Sequence, residues 1–410
     1  MASTQDINPQ LDIIYRMMNA FATNADVDEA LQQGLQYVQQ ALNAEAASFF
    51  ILDEEKQSVT CRACFGPVDI TGLKIPGDQG IVGSVIAAGD TRFIADCLAD
   101  PNFNSSVDDK TGFTTRSMIC APVAGLDKKF GALQLINKLD ANPLFENEDA
   151  ALVTVLANSA ALALANSEMT KAIVESEKVK RDLRMAARIQ ESLFPQKVHA
   201  VAHGRNIPMK GVSGDLFDFV ERVDRLYFCL GDVAGKGINA ALVMAKTHSL
   251  FRSLSRSRPE IDQLTADINR ELAETATNGM FVTAIIGYYD LVTNRVNLCN
   301  AGHEPGLVLT QNGDMHYVAA SLHPLGIMEF AADAVQVETL DLSKARLFTY
   351  SDGLTEAKIG NAMLGAENLA AKLKSSAGLS LSQQVDAVVK EVHQTSDIIS
   401  DDLTLLGIGR

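Results

Sequence analysis

A heptad pattern in the middle of the chain constrains the architecture more than any other feature. Apolar or small residues recur there at alternating steps of three and four, as in the seam of a coiled coil. These positions are Leu162, Ala165, Met169, Ala172, Ser176, Val179, Leu183, Ala186, Gln190 and Leu193. Pro195 then ends the helix, since proline lacks the amide hydrogen that a helix interior needs. The pattern predicts a helical linker over residues 166–195, which packs either on a second copy in a parallel homodimer or back on its own domain.

The regions on either side of the linker predict two domains, residues 10–165 and 196–410. The first has helical spacing over residues 11–21 and 27–42 and strand patterns over residues 46–52, 58–64, 118–123 and 130–137. The second has strand patterns over residues 226–230, 281–290, 295–300, 306–310, 345–350 and 404–408, and helical patterns over residues 240–253, 261–276, 366–373 and 381–395. We expect an α+β domain with a central sheet, followed by an α/β sandwich.

Charge and composition exclude several classes of function. The formal net charge is −16, and no basic stripe is present, so nucleic acid is not an expected partner. The most apolar stretch, residues 150–165, is interrupted by Thr154, Asn158 and Ser159 and is too short for a membrane span. Six cysteines in 410 residues suit a reducing compartment. These features predict a cytoplasmic protein without a membrane partner.

Acidic residues recur where apolar strand-like runs meet glycine or another acid. Asp232 follows the run LYFCL in the motif GDVAGKG, residues 231–237. Comparable positions are Asp215 and Asp218 in SGDLFD, Asp352 in TYSDGLTEA, and Asp401 with Asp402 in SDDLTLLGIG. One such acid is commonly a turn residue, but the repeated pattern predicts an oxygen-rich pocket for hard cations. Two divalent ions in such a pocket activate water for attack on phosphorus, so phosphate hydrolysis is the leading chemistry.

Other sites fail on spacing. In GDVAGKG, three residues rather than four separate Gly231 from Gly235, and Gly237 stands where the Ser or Thr of a phosphate-binding P-loop would hold magnesium. The chain has no GxSxG elbow for a Ser-His-Asp hydrolase. Cys61 and Cys64 form an isolated CxxC without a second pair at zinc spacing, and we expect them to be strand residues.

Seven ordered blocks carry a family resemblance. They are MAARIQESLFP (residues 185–195), SGDLFDF (213–219), GDVAGKGINAALVMA (231–245), MFVTAIIGYYD (280–290), NAGHEP (300–305), TYSDGLTEA (349–357) and SDDLTLL (400–406). Residues 185–410 resemble the SpoIIE/RsbU-type branch of the metal-dependent protein phosphatases, the PPM or protein phosphatase 2C-like superfamily. The resemblance implies an α-β-β-α sandwich and a serine/threonine protein phosphatase that uses Mn²⁺ or Mg²⁺.

The resemblance also implies a set of metal ligands. Asp232 resembles the carboxylate that bridges two ions, beside the backbone carbonyl of Val233. Asp215 resembles the acid that holds the second ion. Asp352 and Asp401 resemble the remaining ligands of the first ion.

Three further residues receive roles from the same resemblance. Asp402 is the alternative to its neighbour Asp401 as a ligand. Asp218 is expected to orient metal-bound water. His303 in the NAGH block either donates a proton to the leaving serine or threonine oxygen or is a hydrogen-bonded structural histidine. No position matches the phosphate-binding arginine of eukaryotic relatives.

The resemblance also implies a substrate, because the usual substrate of the family is a phosphoserine or phosphothreonine on a small regulatory protein. An anti-sigma-factor antagonist of the STAS type is an example, and here it would be another protein. Two other functions stay open. One is a catalytically weak sensor that only docks a partner, and the other is a phosphatase for a small phosphorylated metabolite.

The first domain resembles a GAF domain in residues 131–158, GALQLINKLDANPLFENEDAALVTVLAN. Asn137, Lys138, Phe145 and Asp149 follow the NKxnFxxxD(E) pattern of GAF domains in cyclic-nucleotide phosphodiesterases. Ala150 stands at the final Glu of that pattern, which argues against a cyclic nucleotide as the ligand. The resemblance implies a Lys138–Asp149 pair that locks a loop against a helix, and either a small-molecule sensor or a domain for dimerisation alone.

Overall fold

The computed structural model describes residues 15–16, 19, 26–53, 55, 57–209, 211–275, 279–360 and 362–410. The chain forms two compact units, with the division between Glu177 and Lys178. Of the helix expected over residues 11–21, only Tyr15, Arg16 and Asn19 belong to the described residues. The division between Glu177 and Lys178 falls inside the expected linker. The domain limits at residues 165 and 195 therefore stay predictions.

The first unit is built on a six-stranded antiparallel sheet. Its strands are β1 (Ala44–Asp53), β2 (Ser58–Phe65), β3 (Lys74–Pro76), β4 (Arg92–Ile94), β5 (Met118–Ala124) and β6 (Lys129–Lys138). They lie in the order β3-β2-β1-β6-β5-β4. The helices are α1 (Val27–Ala41), α2 (Gly80–Ala88) and α3 (Ser106–Thr111), with a 3-10 turn at Cys97–Ala99. The expected α+β domain with a central antiparallel sheet is confirmed.

Alternation along the strands gives this sheet two apolar faces. On one face, Leu31, Leu35 and Val38 of α1 pack in a core with Phe49 and Leu133. The other face packs against α2 and includes both cysteines of the CxxC pair. The two thiols are free and buried in β2, as expected for strand residues.

One helix, α4 (Asn147–Glu191), runs without a break from the first unit into the second. Leu152, Val153, Leu156, Ala157 and Ala160 fill the first unit's core. Among the described residues α4 is the one helix that is long and apolar enough to cross a membrane by length and composition. The sequence-based argument that this stretch is too short was therefore incomplete, although its first part packs in the core of the first unit.

The second unit contains two five-stranded antiparallel sheets. The first consists of β8 (Leu216–Arg222), β9 (Arg225–Val233), β10 (Val282–Asp290), β11 (Arg295–Ala301) and β14 (Glu338–Asp341), in the order β14-β11-β10-β9-β8. The second consists of β7 (Ala202–Ile207), β12 (Gly306–Thr310), β13 (Met315–Val318), β15 (Ala345–Tyr350) and β18 (Leu403–Ile408), in the order β13-β12-β15-β18-β7. A short hairpin is formed by β16 (Lys358–Ile359) and β17 (Ala362–Met363).

Helices cover the outer faces of both sheets. They are α5 (Ile238–Leu254), α6 (Ile261–Ala273), α7 (Asp352–Glu356), α8 (Gly365–Ser375) and α9 (Leu381–Thr395), with a 3-10 turn at Ala332–Ala334. Residues of α5 and α6 share a core with the first sheet, and residues of α8 and α9 share one with the second. A third core lies between the sheets, where Phe228 and Leu230 meet Leu347 and Leu406. The layers follow the expected α-β-β-α sandwich.

Candidate metal centre

The first two acids of the site lie at one end of the first sheet, on its inner face. Phe228 and Leu230 of β9 point into the core between the sheets, and so does Phe217 of β8. Because successive strand residues alternate faces, Asp232 points to the same side as Leu230. Asp215, two residues before Phe217, does likewise. Strand alternation therefore directs both carboxylates into the space between the sheets.

The other two acids come from the second sheet. Asp352 is the first residue of α7 and follows β15 with only Ser351 between them, and Asp401 precedes β18. Strands β15 and β18 are antiparallel neighbours, with Tyr350 opposite Leu405. Gly353 lies so close to this neighbour that a Cβ there would be 2.1 Å from the carbonyl oxygen of Asp402 and 3.0 Å from that of Asp401. The missing side chain lets the two acidic segments meet.

The electrostatics show that these acids interact. Burial and the facing carboxylate of Asp232 raise the pKa of Asp215 well above its ordinary value. Burial, followed by the charges of Asp352 and Asp401, raises the pKa of Asp232 to about 7. Burial and Asp401 also raise the pKa of Asp352. Acids brought together without compensating cations favour their protonated forms, which makes the pocket a strong attractor of cations.

Val233 contributes a backbone oxygen to the same space. Its carbonyl oxygen and Oδ1 of Asp232 each lie 3.5 Å from the point where a Cβ at Gly214 would stand. The side chain of Val233 is buried in the core beneath α5 and α6. The carbonyl and the carboxylate of two consecutive residues thus border one side of Gly214.

Lys236 brings a positive charge to the acidic pocket. Lys236 of the GDVAGKG loop lies with its Nζ 2.5 Å from Oδ2 of Asp401 and donates to the carbonyl of Ser400 at 3.0 Å. No role was predicted for this lysine, because the spacing of the motif does not match a P-loop. Its side chain is half exposed, so the pair with Asp401 can open to solvent.

The donor set fits divalent metal. The four carboxylates and the Val233 carbonyl supply only oxygen atoms, which Mg²⁺ and Mn²⁺ prefer. Within the described ranges, no three His, Cys, Asp or Glu side chains already converge on one ion position. The acids are close enough to perturb one another, but their oxygen atoms must still turn inward to form a coordination shell.

Asp402 does not belong to this donor set. Its Oδ1 accepts a hydrogen bond from the amide of Met209 at 2.7 Å, and its Oδ2 accepts from Ser213 Oγ and the amide of Gly214, both at 2.8 Å. The carboxylate is 6% exposed and holds the loop in front of Asp215. The alternative that made Asp402 a metal ligand stays a prediction, and the hydrogen bonds to both of its oxygens favour a structural role.

Asp218 is also placed differently from expectation. It lies three positions after Asp215 and is therefore on the opposite, helix-facing side of β8. Both oxygens accept from the Arg252 guanidinium of α5, at 2.6 and 2.8 Å, and His248 Nε2 lies 3.2 Å from Oδ2. The expected water-orienting role is corrected to that of a buried ion pair that fastens α5 to the sheet.

The Asp218→Asn variant tests this correction. We expect it to lower the free energy of unfolding by about 2 kcal/mol, less than for a fully buried pair because the Arg252 side chain is 44% exposed. Mn²⁺ binding should change little. Denaturant unfolding and calorimetric Mn²⁺ titration of the same protein measure both quantities. Loss of Mn²⁺ binding at unchanged stability would instead support the water-orienting role.

His303 is buried, and both of its ring nitrogens have partners. Nε2 lies 3.0 Å from the carbonyl oxygen of Tyr350, which can only accept, so Nε2 carries the proton. Nδ1 then accepts from the hydroxyl of Thr283 at 2.8 Å. Thr283 stands opposite Asp232 in the sheet. Of the two expected roles, proton donor and structural histidine, the contacts support the second, since the ring ties the strand beside Asp232 to the strand that leads to Asp352.

A pH titration tests the state of His303. Burial lowers the pKa of His303 from 6.5 to about 4, so the folded protein keeps the ring neutral. Its contribution to stability is full above pH 6.5 and is lost as the pH falls toward 4, by up to about 3 kcal/mol at about 1.4 kcal/mol per pKa unit. Unfolding curves of wild type and His303→Gln from pH 8 to pH 4 should converge at low pH. A constant difference would show that the histidine does not titrate in this range.

The first unit contains a separate cavity of about 300 Å³. Its lining is mostly apolar and includes Phe50 and Phe113. Ser48 and Gln134 lie in it as a buried polar pair, with Gln134 Nε2 donating to Ser48 Oγ at 2.9 Å. The lining lysines Lys74 and Lys110 are exposed. An apolar cavity with few polar groups is typical of a small-molecule site.

The expected ion pair of this unit is confirmed. Lys138 Nζ lies 2.6 Å from Oδ2 of Asp149, and the same oxygen accepts from the amide of Glu146 at 2.8 Å. Asn137 has a left-handed φ of 57°, and its side-chain oxygen accepts from the amides of Arg116 and Ser117 at 2.7 and 3.2 Å. The ion pair fastens the end of β6 to the start of α4, and the Asn137 bonds fasten it to the segment before β5. These structural roles need no ligand.

The fold and the acidic pocket together define a class. A four-layer α-β-β-α sandwich with carboxylates gathered at one end of its paired sheets has the architecture of the PPM, or protein phosphatase 2C-like, phosphatases. Residues 26–164 match the GAF domain family, and residues 222–410 match the family of stage II sporulation protein E (SpoIIE). The chain therefore consists of a GAF domain followed by a SpoIIE-type phosphatase domain.

Individual relatives agree with this assignment. Phosphoserine phosphatase RsbU of Bacillus subtilis (strain 168) is 26% identical over 242 residues, which cover 57% of this chain and 71% of RsbU. Protein IcfG of Synechocystis sp. is 26% identical over 238 residues, which cover 50% of this chain but 37% of IcfG. The solved SiaA-PP2C domain of Pseudomonas aeruginosa superposes with a TM-score of 0.52 at 15% identity, covering 58% of this chain and 98% of that domain. That superposition shows the shared fold.

Proposed function

We propose that the chain is a serine/threonine protein phosphatase that depends on Mn²⁺ or Mg²⁺ and is regulated by its GAF domain. The observation that carries the proposal is the meeting of Asp215 and Asp232 from one sheet with Asp352 and Asp401 from the other. Burial, followed by the repulsion between these carboxylates, raises the pKa values of three of them. The packing of a sandwich does not explain why four acids lie at this place, whereas binding of divalent metal does.

One group of residues would bind the metal, and a second group positions the side chains that bind it. Asp215, Asp232, Asp352, Asp401 and the backbone carbonyl of Val233 would hold the metal. Ions bound there supply Lewis acidity and a reactive water for in-line attack on phosphorus. Asp402, Ser213 and Thr404 position Asp215, the last through a short hydrogen bond from its hydroxyl to Oδ2.

The proposed substrate is a phosphoserine or phosphothreonine on a small regulatory protein, with an antagonist of the STAS type as the leading candidate. The name of the relative RsbU, a phosphoserine phosphatase, supports this class. The cavity of the GAF domain supports a small-molecule regulator, and the neutral Ser48–Gln134 pair in it gives no particular support to a cyclic nucleotide. The exposed Leu162, Met169 and Val179 on α4 support homodimerisation through this helix.

Turnover assays test the function. The full chain should hydrolyse p-nitrophenyl phosphate and a phosphoserine peptide with Mn²⁺, and EDTA should stop both reactions. A higher kcat/KM for the peptide than for phosphorylated metabolites supports a protein phosphatase, whereas the reverse order supports the metabolite alternative. Absence of turnover with Mn²⁺ or Mg²⁺ would leave the docking module as the function.

A further inference from the structure

We propose that Gln190, in the last turn of α4, is a positioning residue for the metal ligand Asp215. The inference rests on the phosphatase function proposed above. It means that the end of the long helix contacts the segment that carries a metal ligand. All of the contacts involved lie within the second unit.

The contact is a reciprocal pair of hydrogen bonds. Gln190 Nε2 donates to the carbonyl oxygen of Ser213 at 2.7 Å, and the amide of Ser213 donates to Gln190 Oε1 at 2.7 Å. Both residues are buried, with 7% of Gln190 and 1% of Ser213 exposed. A pair of short bonds in a dry setting fixes the backbone of Ser213 in both position and direction.

A side-chain amide is needed because Ser213 precedes the strand. Ser213 lies before β8 begins at Leu216, so neither its amide nor its carbonyl is paired in the sheet. A primary carboxamide offers one donor and one acceptor, as a neighbouring peptide group would. Glutamine reaches both groups, whereas an apolar side chain at position 190 leaves two buried backbone groups without partners.

The fixed serine in turn holds the ligand. Ser213 Oγ accepts from the amide of Asp215 at 3.1 Å and donates to Asp402 Oδ2 at 2.8 Å. Asn206 Nδ2 donates to the same hydroxyl at 3.1 Å. A displacement of Ser213 therefore moves the backbone of Asp215 directly. Only one residue, Gly214, separates the Gln190 contact from the metal ligand.

A second contact holds the other side of the ligand. Phe194, just beyond α4, stacks on Phe217 of β8 with ring centroids 4.8 Å apart and planes 10° apart. Ser213 and Phe217 flank Asp215 at two residues on either side. Residues at the end of the helix thus contact both sides of Asp215, at Ser213 through hydrogen bonds and at Phe217 through an aromatic stack.

This assignment also changes the meaning of the heptad pattern. Gln190 is one of the seam positions that the spacing indicates, yet its side chain is turned into the phosphatase domain. The seam residues Leu162, Met169 and Val179 remain exposed. The coiled-coil pattern and the positioning contact therefore occupy successive parts of one helix, so that a change in the helix reaches Asp215 through Gln190.

The Gln190→Leu variant of the full chain tests the proposal. Residues that hold metal ligands in place typically account for about 10- to 100-fold in metal affinity or activity. We expect Mn²⁺ binding, measured by calorimetry without substrate, to weaken by about tenfold or more. At saturating Mn²⁺, kcat should fall and KM for a phosphoserine peptide should stay near that of wild type, since Gln190 does not touch substrate.

Gln384→Leu is the matched control. Gln384 is fully buried, and its Nε2 donates to the carbonyl of Leu373 at 2.7 Å. It lies on α9 and touches neither Ser213 nor an acidic ligand. We expect this variant to lose stability with unchanged Mn²⁺ affinity. Equal weakening of Mn²⁺ binding in both variants at equal stability would overturn the proposal, since Gln190 would then act through general packing.

Milder variants cover the case in which Gln190→Leu does not fold. Gln190→Asn keeps the amide but is one methylene shorter, and Phe194→Leu removes only the stack. Each should weaken Mn²⁺ binding several-fold, and wild-type affinity in both would overturn the proposal. Because Mn²⁺ binding is measured apart from turnover, a chain that binds Mn²⁺ without hydrolysing phosphoesters would refute the proposed function and leave this inference standing.

Discussion

Asp232→Asn is expected to abolish metal-dependent turnover and, at the same time, to stabilise the metal-free protein. Loss of this proposed metal ligand should remove several kcal/mol of transition-state stabilisation, or about a thousandfold in kcat at about 1.4 kcal/mol per factor of ten. The gain in stability arises because the pKa of Asp232 is raised from 3.8 to about 7. The stability linked to this proton is complete below pH 3.8 and is lost as the pH rises through about 7, so an uncharged side chain removes the repulsion at pH 8.

Thermal unfolding at pH 8 in EDTA and in Mn²⁺, together with a phosphatase assay, measures both effects. Wild type should gain stability on addition of Mn²⁺, because a ligand of the native state shifts the equilibrium by mass action. The variant should gain little. Asp314→Asn, an exposed acid in the turn between β12 and β13, is the control and should behave as wild type. An active Asp232→Asn protein, or one less stable than wild type in EDTA, would contradict the assigned role.

Gly353→Ala is expected to cause the largest loss of stability among the single-methyl changes near the pocket. The new Cβ would stand 2.1 Å from the carbonyl oxygen of Asp402 and 2.9 Å from its carbonyl carbon. Both are backbone atoms, so no side chain can rotate out of the way. Forced overpacking of this kind typically costs about 1–3 kcal/mol and more where the backbone must shift. The displaced segment carries Asp401, so Mn²⁺ affinity should fall as well.

Gly378→Ala is the matched control, because a Cβ there meets nothing within 4 Å. Denaturant unfolding of the two variants, with Mn²⁺ titration, separates the steric effect from the general effect of replacing glycine. The control should change the free energy of unfolding by less than about 1 kcal/mol. If Gly353→Ala matched it, the contact between α7 and residues 401–402 would not be a tight one.

Much of the fold could be predicted because the local patterns are strong. The observed strands Gly306–Thr310 and Ala345–Tyr350 and the helix Leu381–Thr395 have the bounds that periodicity indicates. The helix Leu381–Thr395 also begins with a capping box, in which Ser380 and Gln383 satisfy one another's backbone groups. The strands β7 and β8 were among those not predicted. Their polar residues Arg205, Asn206 and Asp218 interrupt the apolar alternation on which the strand pattern depends.

The missed strand β8 explains the main error at the site. Without β8, the spacing of Asp215 and Asp218 has no face assigned to it, and the two acids of SGDLFD appear equivalent. Once the strand is known, the two acids lie three positions apart along it and therefore on opposite sides of the sheet. The hydrogen-bonded roles of Asp402, His303 and Gln190 depend on partners 20 to 200 residues away in sequence, and local spacing carries no information about such contacts.

The origin of the four acids in two different sheets has a consequence for the protein's lifetime. A divalent ion held by Asp215, Asp232, Asp352 and Asp401 would link the two sheets of the sandwich. The sheets otherwise contact each other through apolar side chains. Unloaded protein would open more often at this end, and proteases degrade chains in proportion to how often they open. Scarcity of manganese or magnesium would then lower the amount of the phosphatase as well as its turnover, and phosphorylated substrate would accumulate for both reasons.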